Sequence, residues 1–446
     1  MTLDREGRVL SKKLVSACIF VFGTFLCTPP QIVAAELTDD EIAGFRQLLE
    51  ENVTPRTTAA ADSNKEITAL RGLLDRFKGI TFGGYIENYY QYESVNPPAG
   101  DSVAIPPIVY TRQVSSFTVG DIVLWLYKET PNPGDVGFKI TLNWGEMARR
   151  LTTVRPVYDD GLVSQPMATA PVPGRTGGRQ ATFREAYAQW NIPVGRGITA
   201  RFGKFSNWIG YEQWDSIRNP NVSLSYVFGW GVPGIATGLG LDYNATDRLA
   251  LGYYFVNTAG TFVNNNKGYT HGTRLRYSFP DFSFFKKAYV ELDGLWGPQN
   301  ALNNSEWSQV YDTTLSFSPS DRLTLVTTGN LNHGSARIVQ PSGRATDDNS
   351  TWGVSQYFIY NHTESLGFAV RGEYFWDEEN AAGISGGDGA SLTEVTGTLN
   401  LRVRERLMLR PELRYDKIVS VPDGPSHIWH RQNKNITFLF NVSYEF

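Results

Sequence analysis

The eleven residues from Ile436 to Phe446 alternate between apolar and polar side chains and finish on an aromatic ring, with Leu439 the one exception. In a soluble protein an open edge strand of this kind would be an aggregation hazard. In a closed barrel in lipid the same alternation is expected, because apolar side chains face the lipid and polar ones face the lumen. The pattern therefore favours an all-β transmembrane barrel over the alternative, an amphipathic strand of a soluble sandwich.

The start of the chain has the features of an export signal. Four basic residues precede an apolar run over 14–27, and Val33-Ala34-Ala35 offers small residues for cleavage before Glu36. The run is shorter than the roughly 20 residues that a spanning helix needs. We therefore expect 1–35 to be a cleaved signal peptide and the mature chain to reside in the outer membrane.

Composition excludes several classes of protein. Both cysteines, Cys18 and Cys27, lie inside the predicted signal, so the rest of the chain has no disulfide, thiolate metal site or cysteine nucleophile. The net charge of −4 does not suggest a nucleic-acid partner. Aromatic residues make up 13%, and no segment after the signal reaches 18 consecutive apolar residues. This profile is typical of a transmembrane β-barrel.

Short turns recur along the chain at regular intervals. Four of them share a small or charged residue, an acid, a polar residue and a leucine, as in Thr246-Asp247-Arg248-Leu249. Together with Pro280-Asp281-Phe282, these turns place acids 34 to 43 residues apart, which fits two strands, a tight turn and a longer loop. Earlier turns at 131–134 and 193–197 bring the number to seven, which predicts sixteen antiparallel strands over 80–446.

Residues 36–79 differ from the rest. Thr38 and Glu41 form a capping box, and apolar residues recur at helical spacing over 64–78. We expect a short periplasmic leader of one or two helices. Two alternatives stay open, a barely ordered leader and a short coil that would assemble the chain into a homotrimer.

The polar faces of the predicted strands carry many arginines. Successive side chains point to opposite sides, and an arginine facing lipid costs about 2–4 kcal/mol at mid-depth. The residues assigned to the lumen are Arg201, Arg274, Arg276, Arg371, Glu373, Arg402, Arg410, Glu412 and Arg414. Segment 183–192 resists assignment, because Arg184 and Glu185 would fall on opposite faces.

Two consequences of this basic wall remain open. Free arginines would create a field that favours anions. Arginines paired with Glu373, Glu412 and loop acids would instead leave a wet but weakly selective lumen.

Three short runs resemble one family. They are Gly203-Lys204-Phe205, Ile209-Gly210-Tyr211-Glu212 and Ser225-Tyr226-Val227-Phe228, and together they are similar to the OmpL-like β-barrel porin-2 family. Elsewhere the likeness rests on the barrel pattern alone, and the leader and the long second loop do not map onto the family. The resemblance implies a passive diffusion channel of the bacterial outer membrane.

The same stretch forms the third long outward loop and carries both signs of charge. Glu212, Asp215 and Arg218 lie among three tryptophans. A loop of this kind would fold inward as a constriction opposite the wall arginines, or would cover the rim or a subunit contact. At the end of the chain, Tyr444 and Phe446 resemble the terminal signal of outer-membrane proteins. We therefore expect both to serve as an assembly signal for the barrel assembly machinery.

Catalytic motifs are not found in the sequence. It has no Gly-x-Ser-x-Gly elbow, phosphate loop or His-Glu-x-x-His. Of its five histidines only His427 and His430 lie close in sequence, and a metal site there would still need acids or thiols nearby. We expect no enzyme activity, cofactor or metal. The favoured hypothesis is a channel for small hydrophilic solutes and ions in outer-membrane lipid. The alternatives are a sheath around a periplasmic partner such as an electron carrier, and a barrel adhesin or enzyme.

Overall fold

The computed structural model describes residues 79–95, 116–148, 181–257, 264, 266–281, 285–299, 304–334, 338–339, 345–346, 349–378, 389–420 and 432–446. The predicted signal peptide and the predicted leader up to residue 78 lie outside these ranges. Residues 96–115 and 149–180, where two of the longer loops are expected, lie outside them as well.

Eighteen strands lie within the described ranges. They are β1 (Ile80–Glu93), β2 (Ser116–Lys128), β3 (Val136–Trp144), β4 (Ala181–Ile192), β5 (Ile198–Ser206), β6 (Ile235–Asn244), β7 (Leu249–Val256), β8 (Thr270–Ser278), β9 (Lys287–Pro298), β10 (Trp307–Ser318), β11 (Leu323–Gly334), β12 (Ile338–Val339), β13 (Ala345–Thr346), β14 (Asn349–Asn361), β15 (Leu366–Asp377), β16 (Ala390–Arg402), β17 (Leu407–Ser420) and β18 (Lys434–Glu445). Strands β12 and β13 pair only with each other.

The other sixteen described strands form one closed antiparallel barrel, as predicted, and each pairs with its neighbours along the chain. The barrel closes where β1 pairs with β18, from Tyr85 opposite Glu445 to Glu93 opposite Thr437. Beyond the last strand residue, the backbone N–H groups of Gly84 and Phe446 each donate to the other's carbonyl, over 3.0 and 2.9 Å. Closure leaves neither terminal strand with an open edge.

Burial alternates along the strands as the sequence pattern predicts. On β15, Phe368 and Val370 are exposed on the outer face while Arg371 and Glu373 are buried on the inner face. The one apolar residue at an inward position of the closing strand, Leu439, contacts a distant part of the chain. Leu439 faces inward, is fully buried and packs in an apolar cluster with Val222.

A β-bulge resolves the ambiguous strand. On β4, Glu185 pairs with Thr141 and Phe183 pairs with Leu142, which leaves Arg184 as an extra residue. A bulge lets two consecutive side chains leave the sheet on one side. Arg184 and Glu185 are therefore both buried inside the barrel, at 3% and 5% exposure.

Three of the four repeated turns are closed by their first residue. The hydroxyl oxygens of Thr246, Ser320 and Thr363 each accept hydrogen bonds from the N–H groups two and three positions later, over 2.9–3.3 Å. The hydroxyl-bearing residue thus makes the local hydrogen bonds in these three turns, which explains why the turn sequence recurs.

Residues 207–234, which connect β5 to β6, fold back into the barrel and are called the inward segment below. This segment contains a 3-10 helix (Ser216–Arg218) and a short helix α1 (Tyr226–Gly231). Helix α1 packs against β11, β14 and β15. Within the described residues, no helix is both long enough and apolar enough to cross a membrane.

Candidate functional site

The inward segment is bound to the barrel wall through a buried guanidinium. Arg371 on β15 donates to the Glu212 carboxylate of the segment over 2.7 Å and to Glu394 on β16 over 2.8 Å. It also donates to the carbonyl oxygen of Ser223 over 2.7 Å. Arg371 is 0% exposed, so this charge is balanced by two carboxylates rather than by water.

Two wall carboxylates bind backbone N–H groups of the same segment. Glu373 accepts from Tyr226 and Val227 over 2.7 and 2.6 Å at the first turn of α1, where N–H groups have no helical partner. Glu412 on β17 accepts from Val222 and Ser223 over 2.6 and 2.9 Å. These acids therefore fix the path of the segment along β15 and β17.

Two arginines of β17 bind backbone carbonyl groups of the inward segment. Arg410 donates to the carbonyl oxygens of Ser216 and Asn219, each over 2.7 Å. Arg414 donates to Leu224 over 2.7 Å and to Asp416 over 2.8 Å, and it lies over the Tyr226 ring. Both guanidinium groups are 0% exposed, so the segment covers them.

The middle of the segment reaches strands on both sides of the seam between β1 and β18. Asp215 accepts a bidentate pair of hydrogen bonds from Arg184 on β4, over 2.6 and 2.8 Å, and a third from the Tyr85 hydroxyl on β1 over 2.7 Å. The Ser216 hydroxyl donates to Glu87 on β1, and Arg218 pairs with Glu445 on β18. The segment thus bridges β15–β17 and β1–β4 across the interior.

Aromatic stacking holds the segment elsewhere. The Trp208 indole stacks on Tyr254 of β7 at 3.8 Å and donates to the carbonyl oxygen of Thr273 over 3.2 Å. Inside α1, Tyr226 stacks on Trp230 and donates to Asp416. Burial, and then the Asp416 carboxylate, raise the pKa of the Tyr226 phenol well above its ordinary value, so it remains a neutral donor.

The remaining predicted wall arginines are more accessible. Arg201 pairs with Asp242, and its side chain is 22% exposed. Arg274 and Arg276 share Glu291 over 2.7 and 3.5 Å, and their side chains are 30% and 38% exposed. Arg402 is exposed beside a short turn, where it donates to the Glu405 carbonyl oxygen over 3.3 Å.

The structure thus brings Glu212 together with Arg371, while Asp215 and Arg218 contact Arg184 and Glu445 instead. Sequence reasoning left out Glu394 and Asp416, although both lie at inward positions of their strands and alternation could have found them. It could not assign Arg184, because nothing in the local sequence marks the bulge. Among the described residues, no group of three or more acids, histidines or cysteines could hold a metal ion.

Comparison with known proteins gives one family. The family model described as "Putative beta-barrel porin-2, OmpL-like" matches residues 79–446. This range covers the whole barrel and the inward segment. No curated protein matches the sequence.

Solved structures with a similar fold include outer-membrane channels. OmpF of Salmonella typhi in complex with daunomycin has a TM-score of 0.51 at 10% identity, over 82% of this chain and 98% of that one. An anion-selective porin from Comamonas acidovorans gives 0.51 at 9%, over 82% and 99%. Pseudomonas putida OprB gives 0.51 at 12%, over 84% and 96%. At these identities the likeness establishes the barrel fold.

Proposed function

We propose that this chain, which belongs to the beta-barrel porin-2, OmpL-like family of outer-membrane porins, is a passive channel for small hydrophilic solutes and ions. The observation that carries the proposal is the closed sixteen-strand barrel with its polar inner face. A barrel of this strand number encloses an aqueous lumen, whereas one of eight strands is filled by its own side chains.

The inward segment supports a restricted channel rather than an open tube. It runs through the lumen from β15–β17 to β1–β4, where buried hydrogen bonds and ion pairs fix it, and it also contacts β7 and β8. Solutes would therefore pass through the space that the segment leaves beside the barrel wall. The partly exposed Arg201, Arg274 and Arg276 lie on this wall, on β5 and β8.

The same arrangement supports a mild preference for anions. This preference rests on fewer arginines than the seven predicted to line the lumen. Arg371, Arg410 and Arg414 are buried and bound, so they contribute little free charge. Arg274 and Arg276 remain 30% and 38% exposed, while the one acid they share, Glu291, is 7% exposed. The accessible charge at this position of the wall is therefore positive.

The alternative functions have less support. A sheath around a protein partner needs an empty lumen, and the inward segment already occupies part of it. A non-enzymatic channel accords with the family and the fold, and no motif favours an enzyme or an adhesin. A homotrimer and recognition by the barrel assembly machinery stay predictions.

Recording from purified, refolded protein in a planar bilayer tests the proposal. We expect stepwise conductance that grows with salt concentration, and a reversal potential of the sign for anion preference in a potassium chloride gradient. Heat-unfolded protein is the control. A folded barrel that inserts without conducting would overturn the channel, and a cation-selective reversal potential would overturn only the preference.

A further inference from the structure

A cleft of about 590 Å³ lies between the inward segment and strands β1–β5, close to the short turn after β2. This volume falls within the range of small-molecule sites, about 300–1,000 Å³. The arginine cluster that fixes the segment on β15–β17 does not contribute to the cleft.

Aromatic rings form one part of the cleft. Trp125, Tyr127 and Tyr187 line it and are half-buried. The orientation of Trp125 depends on its neighbour across the strand pair, since a Cβ on Gly83 would come within 2.7 Å of the indole nitrogen. Tyr187 is held edge-on against Phe205, with ring centroids 6.4 Å apart. The rings therefore present preformed apolar surfaces beside a polar opening.

The charged groups of the cleft balance one another. Its lining contains Lys128, Lys139, Arg184 and Arg218 against Glu129 and Asp215. Two more acids contact it from behind, because Lys139 pairs with Glu185 over 2.8 Å and Arg218 pairs with Glu445. Four cations thus meet four anions, so the cleft favours a neutral ligand over an ion.

Neutral hydrogen-bonding groups complete the lining. Gln213 of the inward segment is exposed into the cleft, and its backbone is fixed by Asn219, which accepts from its N–H and donates to its carbonyl over 2.8 and 2.7 Å. Gln189 and Thr199 lie on the wall of the cleft. Amides can both donate to and accept from hydroxyl groups.

From this combination we propose that the cleft binds neutral polyhydroxylated solutes, that is, sugars, as they cross the barrel. A sugar ring has apolar C–H faces that stack on aromatic rings and a rim of hydroxyl groups that pairs with amides. Ion-paired side chains can accept the remaining hydroxyl hydrogen bonds without requiring a charged ligand. The inference rests on the proposed channel function and names its solute class.

Ion current through single channels tests it, with maltotriose as the probe. We expect maltotriose to reduce the current saturably, whereas polyethylene glycol of similar hydrodynamic size reduces it only in proportion to concentration. In Trp125→Ala the half-blocking concentration of maltotriose should rise about tenfold, the equivalent of about 1.4 kcal/mol. Trp352→Ala removes the same side chain from the outer face of β14, where Trp352 is 41% exposed, and should not change the block.

A second variant distinguishes loss of the sugar site from a folding defect of the barrel. Gln213→Ala lies on the inward segment, leaves the strands untouched, and should also weaken the block. Normal conductance with no saturable block by maltotriose overturns the sugar site and leaves the channel intact. Block by glucuronate but not by maltotriose overturns the neutral class. Absence of conductance overturns the channel function itself.

Discussion

Arg371 on β15 donates to Glu212 of the inward segment over 2.7 Å, although the two residues are 159 positions apart in the chain. Both side chains are buried, at 0% and 1% exposure. The path of the segment through the lumen therefore depends on an ion pair that water does not screen.

Arg371→Gln should release the inward segment. The substitution leaves the Glu212 carboxylate buried without its counter-charge and leaves Glu394 with Arg414 alone, at 3.9 Å; removing one partner of a buried pair costs about 3–5 kcal/mol. We expect a lower urea midpoint for unfolding from lipid vesicles, and a larger, noisier single-channel conductance. Arg402→Gln is the matched control, because Arg402 is exposed beside a turn. A variant with the wild-type conductance and midpoint would contradict the role of this pair.

Arg276→Gln should weaken the anion preference without changing the fold. Arg276 lies 3.5 Å from Glu291 and over the Tyr289 ring at 3.7 Å, and it is partly exposed. A charge screened as in water contributes about 0.5–1 kcal/mol at 4–8 Å, so the permeability ratio should fall about two- to fivefold. Reversal potentials in a salt gradient measure this ratio. Arg322→Gln, on an exposed turn, should leave it unchanged, and an equal effect of both variants would argue against a local field.

Gly272→Ala should disturb the packing of Trp208. A Cβ at position 272 would overlap the Trp208 indole, which stacks on Tyr254 at 3.8 Å. Overpacking of this kind costs about 1–3 kcal/mol, so we expect a reduced unfolding midpoint and an altered conductance. Gly329→Ala is the comparison, since nothing lies within 4 Å of a Cβ there. Equal midpoints for the two variants would show that Trp208 is free to move.

Phe446→Ala should reduce insertion into outer membranes while the inserted molecules conduct normally. The substitution keeps the backbone pairing with Gly84 and removes only the ring, which lies 2.7 Å from where a Cβ on Gly84 would be. Aromatic residues gather at this membrane interface. Heat-modifiable gel mobility gives the folded fraction. Phe440→Ala, the control, removes a lipid-facing ring from the same strand and should insert better than Phe446→Ala. Normal insertion of Phe446→Ala would refute an assembly signal.

The strand number and the facing of most side chains could be predicted because alternation is a local property. On β17, Leu409 and Leu413 fix the opposite facing of Arg410 and Glu412 from a few residues of sequence. The turns were equally local, since in three of the four repeated turns one hydroxyl closes the turn within three residues.

The partners of those side chains could not be predicted, because they come from distant parts of the chain. Alternation places Arg371 inside but cannot say whether water or Glu212 neutralises it. The bulge at Arg184 depends on the pairing of β4 with β3. The inward position of Leu439 depends on Val222 in the inward segment. In each case the deciding contact is tertiary.

The inward segment also affects the rate at which the closed barrel opens more than the rate at which it closes. Its Ser216 and Arg218 side chains bind Glu87 on β1 and Glu445 on β18, on either side of the seam. Both bonds can be present together only when β1 and β18 lie side by side. They lengthen the lifetime of the finished molecule and do nothing for the encounter of its first and last strands. Contacts formed after a transition state slow unfolding and leave the folding rate unchanged, so the seam is vulnerable chiefly during insertion.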